Sequence, residues 1–325
     1  MADVAAIAGV SLNTVSLALR APQRVAENTR KHVEAAVSRV GYVPNRLAGA
    51  LAAQRSDIVV SIIPTMITRI YADYTEGLAS ALEQGGLRLL IGTTDYDLAR
   101  EESLLRVFSS YRPTAIVTAG LLHSAGSVQL LSRLDVPIVE TGNLVPSPLW
   151  SNVGFSNFDA MALLTRRLIE QGRRRIAYVT TGYGENDRYR DRLAGFMAAT
   201  AQASLPKPSI HTAEFSYAGG GAVLSTIMRK APDTDGVVFS TDIPAIGALI
   251  AARKAGIAVP EDVAVVGFGD PELAALVEPG LTTIRADFRG LGIATGELIG
   301  RQLESGLATR ESHDIGFELV ARGSG

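Results

Sequence analysis

The chain has 325 residues, with 31 Lys plus Arg against 33 Asp plus Glu, no cysteine and 47% hydrophobic residues. At roughly 150 residues per domain the length suits two globular units, and the missing cysteines exclude a disulfide framework, thiolate catalysis and any zinc or iron–sulfur site built on cysteine. The net charge of −2 argues against a nucleic-acid partner only if it is spread evenly, and it is not: through Ser56 seven basic residues stand against three acidic ones, leaving 24 against 30 beyond it.

The opening MADVAAIAGVSLNTV lacks the basic-then-apolar order of a signal peptide. No apolar run approaches the roughly 18 to 20 residues of a membrane span, so a cytoplasmic protein is expected. The first 40 residues read as three short helices. Val4, Ile7 and Ala8 form one apolar stripe and Gly9-Val10-Ser11 interrupts it. Ser11 can cap a second helix carrying Val15 and Leu19, and Val33, Ala36, Val37 and Val40 mark a third that Gly41 ends. The stretch 3–19 fits a helix-turn-helix, in which Asn13 can donate and accept at an adenine edge while Thr14 and Ser16 suit phosphate oxygens. A three-helix bundle used for protein contact has the same spacing. Pro44 then forces an extended approach to 46–53, which is helix-competent over only about two turns and marginal alone.

From Asp57 onward β-branched apolar runs alternate with amphipathic stretches. Strands are expected at 58–63, 87–92, 115–118, 137–140, 176–180, 209–213, 236–239 and 263–268. This is the βαβ signature of doubly wound parallel sheets, and eight or more strands imply two such subdomains with a seam near 153–157. Ligands of such sheets sit beyond the strand carboxyl ends, which puts 64–71, 181–192 and 240–243 around a cleft. In 186–196, Arg188 and Arg192 share one helix face while Asp187 and Asp191 share another. Spacing alone leaves open whether a face enters the cleft or the helix is simply solvated. Gly219-Gly220-Gly221 reads as a flexible helix entry. The histidines His32, His123, His211 and His313 are scattered and read as surface or interface residues. With no nucleophile elbow, phosphate loop or dinucleotide fingerprint, no enzyme, cofactor or metal site is expected.

Asp3-Val4-Ala5, Gly9-Val10-Ser11, Thr14-Val15-Ser16, Thr29-Arg30, Val33 and Gly41-Tyr42-Val43-Pro44-Asn45 together resemble the DNA-binding head of the lactose/galactose repressor family. That family's effector-binding core, similar to periplasmic sugar-binding proteins, matches the rest of the chain. The resemblance implies an all-α helix-turn-helix head over 1–40, a hinge helix and linker over 41–56, and an α/β core over 57–325. In that core two doubly wound parallel-sheet subdomains, about 57–155 plus 286–312 and about 156–285 plus 313–325, form an effector cleft. It further implies a transcription regulator, most often a repressor, that binds a pseudopalindromic double-stranded operator as a homodimer, with a small carbohydrate-type effector and no membrane partner.

Carried over position by position, Ser11 opens the reading helix, Leu12 and Asn13 match base-reading positions, and Thr14 and Ser16 match phosphate contacts. Leu17 stands where many members carry a guanine-reading arginine, so either a different base is recognised there or the reading rests on Asn13 and Arg20. Asn45 and Arg46 open the hinge helix, and Leu51 matches a leucine wedged into the minor groove. The chain opens at Ala2-Asp3, a few residues later than most members, so its first helix lacks the usual cap. In the core, Arg192 matches the effector-gripping arginine, joined by Thr65, Tyr71, Asp159 and Phe288. Thr241 replaces a common asparagine, and Asp270 lies beside a glycine where some members place aspartate. The strings 154–159 and 316–319 look like the gluconate-repressor branch, in which Arg69 and Arg192 would offer positive charge to a sugar acid. The rivals are a periplasmic-type solute-binding protein, a sugar kinase, and a family member that no longer binds DNA well.

Overall fold

The computed structural model describes residues 1–42, 56–181, 186–306 and 310–325. The chain divides into two compact units, Met1–Asp57 with Ser109–Thr114, and Ile58–Phe108 with Ala115–Gly325.

In the first unit α1 spans Ala2–Ala8, α2 Leu12–Arg20 and α3 Glu27–Val40, with a 3-10 turn at Pro22–Arg24. Gly9 ends α1 at φ 65°, a left-handed conformation that a β-carbon disfavours, so the chain can turn at once into α2. The first helix has no side-chain cap. Ser11 caps α2, its hydroxyl accepting the Thr14 N–H at 3.1 Å. Val4, Val15 and Val33 meet as the small core of the three helices, with Ala5, Ala18 and Ala36 between them. Ser11→Ala is expected to cost about 1 kcal/mol of local stability. Faster hydrogen exchange at the α2 amides of the full chain would report it, and unchanged exchange would show the cap to be idle.

The second unit holds two six-stranded sheets. The first takes β1 Ile58–Ile63, β2 Arg88–Thr93, β3 Ala115–Ala119, β4 Ile138–Thr141, β5 Ser151–Gly154 and β11 Ser312–Asp314, in the order β11-β5-β4-β3-β1-β2, all parallel. The second takes β6 Ile176–Thr181, β7 Ile210–Ala213, β8 Gly236–Phe239, β9 Ala264–Phe268, β10 Thr282–Arg285 and β12 Glu318–Val320, in the order β12-β10-β9-β8-β6-β7. Here β12 runs antiparallel to β10, because it is reached directly from the other sheet without a crossover helix. His313 and Asp314 stand in the first sheet, so the last crossing falls just past the expected 312.

Six of the helices around the sheets pack as three tight pairs. α4 (Arg69–Gln84) lies on α12 (Phe288–Ser305), α7 (Asn157–Glu170) on α8 (Asp187–Gln202), and α9 (Tyr217–Lys230) on α10 (Asp242–Ala255). α5 is Leu98–Ser109, α6 Ala125–Leu131 and α11 Glu272–Leu276. Gly219, Gly220 and Gly221 lie inside the first turns of α9 rather than in a flexible entry, and Gly220 is buried against Pro244. Among the described residues no single helix is long and apolar enough to cross a membrane.

The chain passes between the sheets three times. Each passage carries a phenylalanine, and Phe288 and Phe317 both meet Phe155, at ring centroid separations of 6.2 and 6.3 Å. Phe268, from the end of β9, stacks on Phe155 at 6.1 Å. The two subdomains therefore share an aromatic pivot rather than a loose linker.

Candidate ligand cavity and recognition helix

Two consecutive turns of α2 sort its residues. Val15 and Ala18 are buried, whereas Leu12 is 52% exposed and Leu17 38%, with Asn13 exposed beside them. Thr14 and Ser16 are half-buried, and the Thr14 hydroxyl lies 2.9 Å from that of Ser11. Arg20 is the last residue of the helix. Two exposed leucines flanking an asparagine give this face an apolar and hydrogen-bonding character, as a base-edge reader needs. Asn45, Arg46 and Leu51 lie outside the described residues.

Where the carboxyl ends of the two sheets face each other there is an inner cavity of about 60 Å³, and an outer cleft of about 910 Å³ opens beside it. Thr68, Ile70, Thr241 and Phe288 line both. Tyr71 and Arg192 line the inner cavity together with Tyr96, Arg188 and Tyr189. Arg69 and Asp270 belong to the outer cleft only. Arg69 is an exposed rim residue paired with Asp73 at 3.2 Å and with Glu272 at 3.7 Å. Asp270 is clamped by Arg285 at 2.6 Å and Arg322 at 2.7 Å. Thr65 is buried and lines neither space; its hydroxyl accepts the Ile67 N–H at 3.1 Å and shapes the loop.

Asp159 is exposed on the first turn of α7 and also lines neither space, contrary to the expectation. The reason is helical geometry. Residues two apart on a helix point roughly 200° apart, and the inward position is taken by Asn157. Asn157 is fully buried and accepts Arg192 Nε at 2.8 Å while its amide donates to Asn143 Oδ1 at 3.1 Å. Asn143, on the turn after β4, donates in turn to Asp187 Oδ2 at 3.1 Å and to Asp191 Oδ2 at 2.7 Å on α8. A polar chain thus runs from the cavity arginine across the seam between the subdomains, and neither asparagine stood out in the sequence.

Electrostatically the inner cavity is cationic. The Arg192 guanidinium is buried, donates Nη1 to the Ser240 carbonyl at 2.8 Å and lies face-on over Phe268 at 3.6 Å. Burial holds its pKa below the usual arginine value. For Arg188 burial works against the charge too, yet its pKa is raised, with Asp187 at 3.5 Å as the charged neighbour. Burial raises the phenol pKa values of Tyr71 and Tyr96 and pushes that of Tyr74 up to about 12, so all three stay neutral donors. In the outer cleft burial pushes the Asp242 carboxyl up to about 7 against the Thr283 hydroxyl and the Asp270 N–H. This chamber therefore mixes hydrogen-bond donors and acceptors suited to hydroxyl groups. Among the described residues no cluster of three or more His, Asp or Glu side chains could hold a metal ion.

The His123 side chain, expected at a surface or interface, is instead buried within the fold, with Nδ1 2.7 Å from Glu101 and Nε2 3.3 Å from Glu140. It lies outside the cleft, and three scattered positions converge only through the fold.

A family model described as bacterial regulatory proteins, lacI family, matches residues 1–45, and a periplasmic binding protein-like domain matches residues 165–325. The chain is 33% identical over 99% of its length to a Pseudomonas aeruginosa protein named HTH-type transcriptional regulator GntR, covering 94% of that protein. A crystal structure of a transcriptional regulator from Silicibacter pomeroyi superposes with a TM-score of 0.92 at 29% identity, over 99% of this chain and 98% of that one. A structure described as a complex of the transcriptional regulator CelR with cellobiose superposes with a TM-score of 0.73 at 28% identity, over 99% and 98% of the two chains.

Proposed function

Because the chain belongs to the LacI family of bacterial transcriptional regulators, we propose that it binds a pseudopalindromic operator as a homodimer, its affinity set by a sugar acid such as gluconate held between the two core subdomains. The observation that carries the effector reading is the cavity itself: two guanidiniums, the buried Arg192 and the half-buried Arg188, line a space walled by tyrosines and open to a polar chamber. A carboxylate supplies the charge such a space lacks, and the hydroxyls of a sugar acid suit Thr241 and the polar residues around Asp270. Tyr71 and Phe288 add apolar faces. Arg69 acts at the rim, and Thr65 and Asp159 stay outside the contact set. Because ligand and operator favour different subdomain arrangements, each alters the affinity of the other by the same factor.

On the DNA side, Leu12 and Asn13 meet base edges, Thr14 and Ser16 meet phosphates, and Leu17 contributes an apolar contact in place of a guanine-reading arginine. Ser11 opens the helix and Arg20 closes it. Asn45, Arg46 and Leu51 complete the hinge contacts.

A gel-shift titration against the chain's own promoter region, with and without D-gluconate, tests the reading. The expected result is a salt-sensitive shift whose midpoint moves with the sugar acid, and no shift at low salt overturns the regulator reading. Asn13→Ala is expected to weaken operator binding by about 1 to 3 kcal/mol and to relax selectivity at one base pair. Equal weakening on all sequences would make Asn13 a backbone contact.

A further inference from the structure

The geometry points to Arg188, rather than Arg192, as the residue that reads the ligand's charge, and to the slot it occupies as the route by which that charge reaches the opposite subdomain. This rests on the sugar-acid reading above.

The two arginines are not equivalent. Arg192 is the more committed: its Nε goes to Asn157, its Nη1 to the Ser240 carbonyl and its face to Phe268, which leaves Nη2. The Arg188 side chain makes no hydrogen bond among the described residues, and its Nη1 is buried without a hydrogen-bond partner. Its closest carboxylate oxygen, Asp187 Oδ1, is 3.5 Å away, and the other oxygen of that group is engaged by Asn143. A guanidinium with donors free in a closed space is costly unless a ligand brings acceptors, and its planar fork suits a carboxylate.

The position of Arg188 adds the second half. It is carried by α8 in the second subdomain, yet its guanidinium lies against the ends of β3 and β4 in the first. A β-carbon on Gly120 would stand 2.6 Å from Arg188 Nη1, and one on Gly142 would stand 3.5 Å from its Cδ. These glycines make a slot that admits the side chain across the seam. A carboxylate seated on Arg188 therefore pins α8 to the first subdomain, and a neutral ligand of the same size leaves the guanidinium with Asp187 at 3.5 Å as its ionic neighbour and the pin weak. With only about 60 Å³ in the inner cavity, the hydroxylated remainder of the ligand extends into the outer cleft.

Calorimetric titration of the full chain with D-gluconate and with D-glucitol, the same carbon skeleton without the carboxylate, separates the possibilities. Wild type should prefer gluconate. Arg188→Met should lose about 100-fold in gluconate affinity while its glucitol affinity stays within a few-fold, with Arg188→Lys intermediate. Arg192→Met should weaken both ligands alike and lower the melting temperature of the unliganded chain, because it strands Asn157 and the Ser240 carbonyl. If Arg188→Met does not fold, Arg188→Gln makes the same comparison. A gluconate preference that survives loss of the Arg188 charge and disappears in Arg192→Met overturns the assignment. A wild-type chain that binds glucitol and ignores gluconate overturns the sugar-acid reading itself, before any variant is consulted.

Discussion

Replacing His123 by leucine is expected to destabilise the protein by about 3 to 5 kcal/mol near neutral pH, the usual scale for removing one partner of a buried charged cluster. The His123 side chain is 1% exposed and bridges Glu101 at 9% and Glu140 at 2%, with the edge of Trp150 closing the site at a ring separation of 6.0 Å. Leucine fills most of the volume but leaves two carboxylates facing each other without a cation. The wild-type pH dependence follows from the same contacts. Burial opposes the imidazolium, but the two glutamates outweigh it and push the pKa from 6.5 up to about 9. A pKa raised in the folded state contributes its full stability below about pH 6.5, a contribution lost as pH rises through about 9. Urea midpoints at pH 6, 7.5 and 9 should therefore show wild type falling over this window. The gap to His123→Leu should narrow at the alkaline end, where the imidazolium loses its proton. A variant as stable as wild type at pH 6 would show that the cluster contributes nothing.

Gly247→Ala is expected to cost about 3 kcal/mol or more, at the upper end for forcing added volume into a packed contact. A β-carbon there would lie 1.8 Å from the Tyr217 carbonyl oxygen, and the obstacle is backbone, which cannot swing aside. The neighbouring contact is built the same way, since a β-carbon on Gly220 would lie 1.8 Å from the Pro244 carbonyl oxygen. The pair α9 and α10 would have to separate along its length, losing contact among Val223, Leu224, Ile246 and Leu249 in the core of the second subdomain. Gly300→Ala in α12 is the control. Nothing lies within 4 Å of a β-carbon at that position, so the substitution should be neutral or stabilise by up to about 1 kcal/mol through helix propensity. Equal denaturation midpoints for the two variants would refute the close-packing account.

The strands that sequence reading placed are those with a strong apolar signature. Ile58–Ile63 and Gly236–Phe239 coincide with the expected bounds, and the others shift by a residue or so at their ends. The strands it did not place are short, and three of the four are mostly polar: Ser151–Gly154, Thr282–Arg285, Ser312–Asp314 and Glu318–Val320. They lie where the chain changes sheets, and their backbone pairing owes little to side-chain periodicity. In the cavity, Tyr71, Arg192, Thr241 and Phe288 were reachable by position. The Arg188 guanidinium, without a hydrogen bond among the described residues, was not, because what distinguishes it from Arg192 is a slot formed by Gly120 and Gly142, about 50 to 70 residues away in the chain. The charged run 186–196 left its orientation open on spacing alone, and the fold turns Arg188 and Arg192 inward while leaving Arg190 at the surface.

The three passages between the sheets also fix an order of assembly during synthesis. The first subdomain contains the earliest strands of the core, yet Leu291, Leu298 and Ile299 of α12 belong to the same hydrophobic cluster as Val59 and Leu78. Its edge strand β11 is made later still. Until some 300 residues have left the ribosome, that sheet has an open apolar face and an unpaired edge. The intervening β6 to β10 can close most of the second core first. Contacts so distant in sequence slow folding, and they make the part of the core translated first one of the last to be completed.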